Sequence, residues 1–125
     1  MINLFRYGKF TLRSGAISPF KIDCEALVDR DWKALARVLR DYIGEFSRAI
    51  GIPSGGIPLA KALNEIASAA GPILIVDDVL TTGTSMEDMR LDVLNDWPEQ
   101  EIRGAVVFAR GAVPEWVFAL FTLAD

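Results

Sequence analysis

In the run Ile73-Leu74-Ile75-Val76-Asp77-Asp78-Val79-Leu80-Thr81-Thr82-Gly83-Thr84-Ser85, four apolar residues lead directly into two aspartates and a threonine-glycine turn. Few folds accommodate that order. The apolar, β-branched start predicts a strand buried on both faces, and such strands belong to parallel sheets covered by helices. Two carboxylates then fall at the C-terminal end of the strand, where ligands of open α/β sheets bind. Beyond them the sequence reads as a helix from about Ser85 to Asn95, with Met86, Met89, Val93 and Leu94 inward. Amides at that helix start, with the hydroxyls of Thr81, Thr82, Thr84 and Ser85, can hold a phosphate, and Gly83 lets the backbone approach closely. Asp77 and Asp78 repel phosphate but suit sugar hydroxyls or a Mg²⁺-bound polyol, so the pattern fits a ribose carrying a phosphate. A Walker-type loop is excluded, because no Gly-Lys-Ser/Thr element is present.

The remaining segments extend the same alternation. Phe10 to Arg13 and Pro19 to Ile22 flank Ser14-Gly15-Ala16-Ile17-Ser18 and predict a hairpin. Trp32, Leu35, Ala36, Val38, Leu39, Tyr42, Ile43 and Phe46 recur at three- and four-residue steps, predicting an amphipathic helix capped by Asp29 or Asp31. A short strand at Ala49 to Ile52, the loop Pro53-Ser54-Gly55-Gly56 and a helix from Pro58 to Ala69 follow. Ala105 to Ala109 and Val117 to Leu123 read as later strands. The expected fold is α/β, a mostly parallel sheet of about four to five strands flanked by helices. We read residues 1–125 as one domain, with a hairpin unit at 1–25 and an α/β core at 26–125.

Composition narrows the chemistry. The 125 residues include no histidine and one cysteine, which removes a Ser-His triad, a histidine base, imidazole-ligated zinc and internal disulfides. Carboxylates, hydroxyls, amides and cations are left. The longest strongly apolar stretch, nine residues from Trp116 to Ala124, falls short of the ~20 that span a bilayer. No cationic leader precedes an apolar signal core, so the expectation is a soluble, unprocessed, cytoplasmic protein without a membrane partner. The net charge of −4 argues against nucleic acid as a partner. That charge is split: residues 1–62 carry ten Lys/Arg against six Asp/Glu, whereas residues 63–125 carry three against eleven. Positive and negative groups of one site can therefore come from different segments.

The thirteen-residue run resembles the phosphoribosyl-diphosphate signature of type I phosphoribosyltransferases, matching it at every position in a strand-turn-helix context. The resemblance implies that Asp77 and Asp78, the catalytic pair, contact the ribose hydroxyls, and that Thr81, Thr82, Gly83, Thr84 and Ser85 hold the 5′-phosphate. Two further stretches are similar to the orotate branch. Phe10-Thr11-Leu12-Arg13-Ser14-Gly15 with Ser18-Pro19-Phe20 looks like the hairpin hood over the base, with Arg13 where a lysine contacts orotate and Lys21 and Ile22 where an aromatic pair lies. Pro53-Ser54-Gly55-Gly56-Ile57-Pro58-Leu59-Ala60 is similar to the diphosphate loop, placing Ser54, Gly55 and Gly56 on the leaving group. Read without the resemblance, such a glycine pair is more often a plain turn. Arg110 occupies the position of an arginine that pairs with the orotate carboxylate; its bland reading is a solvated loop residue before Gly111. Asp23 and Glu25 read as exposed, Trp32, Trp97 and Trp116 as core or interface, and Cys24 as a small buried residue.

The resemblance also marks a deletion. Relatives carry another strand and a long mobile loop with basic residues between the diphosphate loop and the acidic signature. Here seventeen positions separate Gly56 from Ile73, and Lys61 is the only cation between them. The implied protein is a shortened phosphoribosyltransferase of the orotate type, using Mg²⁺ bound through phosphoribosyl diphosphate rather than by direct ligands, and working as a homodimer. A non-catalytic phosphoribosyl-diphosphate or nucleotide sensor, or an accessory subunit, is the alternative that the missing loop leaves open.

Overall fold

The computed structural model describes residues 4–11 and 15–123. Strands β1 (Phe5–Thr11) and β2 (Ile17–Ile22) form an antiparallel hairpin. They are followed by α1 (Asp29–Ile43), β3 (Arg48–Gly51), α2 (Ile57–Asn64), β4 (Ile73–Leu80), α3 (Thr84–Asp96), β5 (Ile102–Arg110) and β6 (Val117–Leu123). The last four strands make one parallel sheet in the order β3-β4-β5-β6.

Strand periodicity decides which helix each face receives. Leu74 and Val76 of β4 point to one side, where they pack with Trp32, Ala36 and Leu39 of α1 and with Leu59 and Leu63 of α2. Ile73 and Ile75 point to the other, against Met86 and Val93 of α3. All four are buried, as their continuous apolar run required. Truncating one of them to alanine would cost about 2 to 5 kcal/mol. Among the described residues no helix is long and apolar enough to cross a membrane.

Several local expectations are corrected. Val28 rather than an aspartate caps α1, and Asp31 instead accepts the Val28 N–H at 2.9 Å. The core stripe of α1 runs through Trp32, Ala36 and Leu39, which turns Val38 outward and leaves Tyr42 68% exposed. Phe46 is buried but lies beyond the helix. Helix α2 stops at Asn64 rather than Ala69, because the Ile66 N–H closes a turn on Leu63 and the Ser68 N–H bonds back to the Phe46 carbonyl.

The early stop gives Asn64 a structural task. Residues 65–72 connect α2 to β4 without a strand, so β3 lies at the sheet edge. The Asn64 amide covers that edge: its Oδ1 accepts the Ala49 N–H at 2.9 Å, and its Nδ2 donates to the Ala49 carbonyl at 2.9 Å. One carboxamide thus supplies the bonds that a neighbouring strand would have made, blunting an edge that would otherwise invite pairing. Asn64→Leu is expected to lower unfolding free energy by about 1 to 3 kcal/mol, because both polar groups of buried Ala49 lose their partner. Urea denaturation checks this; an unchanged midpoint would remove Asn64 from that role.

Candidate functional site

At the C-terminal ends of the strands, several segments distant in sequence line one cavity of about 640 Å³. The hairpin contributes Phe10, Thr11, Lys21 and Ile22, the loop after β3 contributes Ser54 and Gly55, and β4 contributes Asp78 and, just past its end, Thr81. Arg110, the last residue of β5, also borders it. Arg13 lies outside the described residues.

The two aspartates do not share this space. Side chains of adjacent strand residues leave on opposite faces. Asp78 therefore follows Leu74 and Val76 toward the hairpin and lines the large cavity. Asp77 follows Ile73 and Ile75 toward α3, is 2% exposed, and borders a small recess with Thr81, Thr82, Gly83, Thr84 and Ser85. The carboxylates are held by the strand itself: Asp77 Oδ1 accepts the Asp78 N–H at 2.9 Å, and Asp78 Oδ1 accepts the Val79 N–H at 2.7 Å.

The loop after β3 reaches Asp78 because it carries glycine. A Cβ on Gly55 would come within 2.5 Å of Asp78 Oδ2, so no other residue fits there without moving the carboxylate. Gly56 lies under the same loop, where a Cβ would meet the Val76 carbonyl at 2.5 Å; the Pro53–Ser54 peptide is cis. Beyond β4, Gly83, the N-cap residue of α3, takes a positive φ of 82°. The Thr82 and Thr84 hydroxyls lie 3.1 Å apart, and the Thr84 N–H points to Thr82 Oγ1 at 3.4 Å. Hydroxyls gathered at the start of a helix, beside its first-turn amides, are suited to an anion.

The chain resembles orotate phosphoribosyltransferases in sequence. It is 29% identical to that of Saccharolobus solfataricus over 124 residues, covering 74% of this chain and 60% of the relative. The chain thus spans less than two thirds of that relative's length. No family model matches. Among solved structures, the orotate phosphoribosyltransferase of Aeropyrum pernix superposes with a TM-score of 0.76 at 23% identity, covering 96% of this chain and 88% of that one. The fold is that of the phosphoribosyltransferases. The orotate phosphoribosyltransferase of Mycobacterium tuberculosis has a TM-score of 0.67 at 20% identity, with coverage of 96% and 90%. The likeness extends to the xanthine-guanine-hypoxanthine phosphoribosyltransferase of Helicobacter pylori, with a TM-score of 0.53 at 16% identity and coverage of 73% and 85%.

Within this phosphoribosyltransferase fold, several residues that the sequence left in the background reach the cavity. Asp23 is buried rather than exposed: it caps a single 3₁₀ turn at Cys24–Ala26 and lies 3.4 Å from the Arg6 guanidinium. Trp32 and Cys24 line the same wall. Nothing in their sequence spacing relates them to Asp78, since only the packing of α1 and the hairpin exit brings them there. Ile22 is buried in the core while bordering the cavity, and Lys21 is exposed on its rim.

Burial first, then the charge of Asp78 and a hydrogen bond to its carboxylate, and finally Asp23 and Asp77, push the Cys24 thiol up to about 12. It is therefore a protonated donor, inert as a nucleophile. Iodoacetamide at pH 8 should alkylate the folded protein at least about tenfold more slowly than the urea-unfolded chain. Because folding raises this pKa, the stability contributed by the protonated thiol is whole below its ordinary 9.0 and is lost as pH rises toward 12. Cys24→Ala should flatten that part of the stability profile; an identical profile in the variant would place the alkaline loss elsewhere.

Proposed function

We propose that the protein transfers phosphoribose from phosphoribosyl diphosphate to a nucleobase, most readily orotate or a related pyrimidine, with release of diphosphate. The observation that carries this reading is the meeting of Asp78, the Ser54-Gly55 backbone and the hairpin around one cavity, beside the hydroxyl-lined start of α3. The recess at α3 would take the 5′-phosphate on its amides and on Thr81, Thr82, Thr84 and Ser85. Asp78 would accept hydrogen bonds from the ribose hydroxyls, while Asp77, in the recess, would hold the strand end and loop in place. The base would lie under the hairpin, against Ile22, with Lys21 at the rim.

In the reaction, the bond from the anomeric carbon to the diphosphate oxygen breaks and a bond from that carbon to a base nitrogen forms, through an oxocarbenium-like state. Exposed Ser54 and the adjoining backbone would receive the departing diphosphate. Among the described residues no three Asp, Glu or Cys side chains cluster to hold a metal. Asp78, which lines the cavity, would be available to a Mg²⁺ that arrives on the substrate's diphosphate. Bound there, the ion would neutralise leaving-group charge. A cytoplasmic homodimer belongs to the same reading, supported by the resemblance and by a lone cysteine.

The eight-residue connection at 65–72 favours a second reading. With no long loop there to cover the site, the chain would bind phosphoribosyl diphosphate or a nucleotide as a sensor without turning it over. Purified protein incubated with Mg²⁺, phosphoribosyl diphosphate and a panel of bases including orotate is expected to release diphosphate. Binding without release would assign the sensor role, and neither would defeat both. Asp78→Asn is expected to weaken ribose-phosphate binding about tenfold or more, the loss of charge-assisted bonds worth roughly 1.5 to 3 kcal/mol. Asp77→Asn/Asp78→Asn should behave similarly and remain folded; unchanged affinity in both variants would take the acids out of the site.

A further inference from the structure

We infer that Arg110 is a positioning residue that latches the hairpin over the cavity. This rests on the proposed phosphoribosyl transfer only for its kinetic consequences.

The hairpin needs an anchor. Two-stranded antiparallel ribbons are marginal alone in water, and β1 is exposed along most of its length. Its ladder is also interrupted: the register shifts between Tyr7 and Phe10, opposite Pro19, which has no N–H to donate. Arg110 engages the residues on either side of that interruption. Its Nη2 donates to Ser18 Oγ, its Nη1 donates to the Phe20 carbonyl at 3.3 Å, and its guanidinium lies 4.0 Å from the centre of the Phe20 ring. Ser18 is buried, and its Oγ also accepts the Phe20 N–H at 3.3 Å, so one hydroxyl ties the arginine to β2 beside the interruption.

The position of Arg110 at the end of β5 makes this a bond between the sheet and the hairpin, ninety residues apart in sequence. The side chain is 5% exposed, so its charge depends on these contacts. Each terminal nitrogen of the guanidinium gives one of its two N–H groups to β2. Removing Arg110 should therefore loosen the whole hood and weaken every base alike, whether or not the base is acidic.

The test uses Arg110→Ala, Arg110→Lys and Ser18→Ala in the full chain. Amide hydrogen exchange is read on β1 and β2 against β4 and β5, with base KM and kcat measured for orotate and for uracil, which lacks the carboxylate. The latch predicts that Arg110→Ala and Ser18→Ala both speed hairpin exchange by about tenfold while the β4 and β5 amides keep their rates. It also predicts KM values for orotate and uracil raised by the same factor with a smaller change in kcat, and partial rescue by Arg110→Lys. Hairpin exchange unchanged in Arg110→Ala, or a KM defect confined to orotate, would overturn it. If the unmodified protein turns over neither base, the transferase reading fails by itself, and hairpin exchange still decides the latch. Should Arg110→Ala not fold, Ser18→Ala and Arg110→Lys decide it by the same exchange readout.

Discussion

Burial of β4 on both faces is the constraint from which the site's geometry follows. A strand that must hide Leu74 and Val76 from water on one side and Ile73 and Ile75 on the other cannot slip or rotate, because a shift of one residue would exchange the two faces. The alternation continues past the last apolar residue into the acids. Asp78 is thereby committed to the cavity under the hairpin, and Asp77 to the recess at the start of α3. The same packing that stabilises the core thus divides two neighbouring carboxylates between two compartments.

The edge of the sheet explains how this arrangement is kept with so short a connection between α2 and β4. Where a further strand would pair with β3, the Asn64 carboxamide bonds both the N–H and the carbonyl of Ala49. The connection from α2 to β4 can then be eight residues long, and the loop after β3 still reaches Asp78 because Gly55 has no side chain. Sheet integrity and cavity shape are therefore separable from the covering segment. For the proposed function this separates holding phosphoribosyl diphosphate, which the retained groups support, from excluding water around it, which calls on other parts of the molecule.

The sequence made much of this legible. The order of strand, glycine turn and helix could be read at Ile73 to Ser85, because apolar continuity, adjacent acids and a glycine turn each have one common structural solution. The parallel sheet, the hairpin and the later strands could be read from apolar runs and the glycine loops between them, although β1 runs over Phe5–Thr11 rather than beginning at Phe10. Boundaries were less visible: α2 ends at Asn64 because its side chain is drawn to a strand edge fifteen residues away, and Tyr42 sits outward because the core stripe of α1 is narrower than its apolar pattern. Asp23 reads as exposed and Cys24 as a small buried residue, and neither could be placed at the cavity, since no spacing rule connects a hairpin exit to the end of a strand more than fifty residues later.

By itself, then, the sequence determined the α/β class, the end of the sheet at which a ligand would bind, and the residue types available there, because these depend on local periodicity and on which side chains exist. Tertiary structure alone decided which acid faces which compartment, what closes the edge of β3, and that the Arg110 guanidinium faces β2 rather than open solvent. Each of those outcomes depends on a contact between segments distant in the chain. Such contacts are set by packing two buried faces at once, a condition that no single stretch of sequence contains.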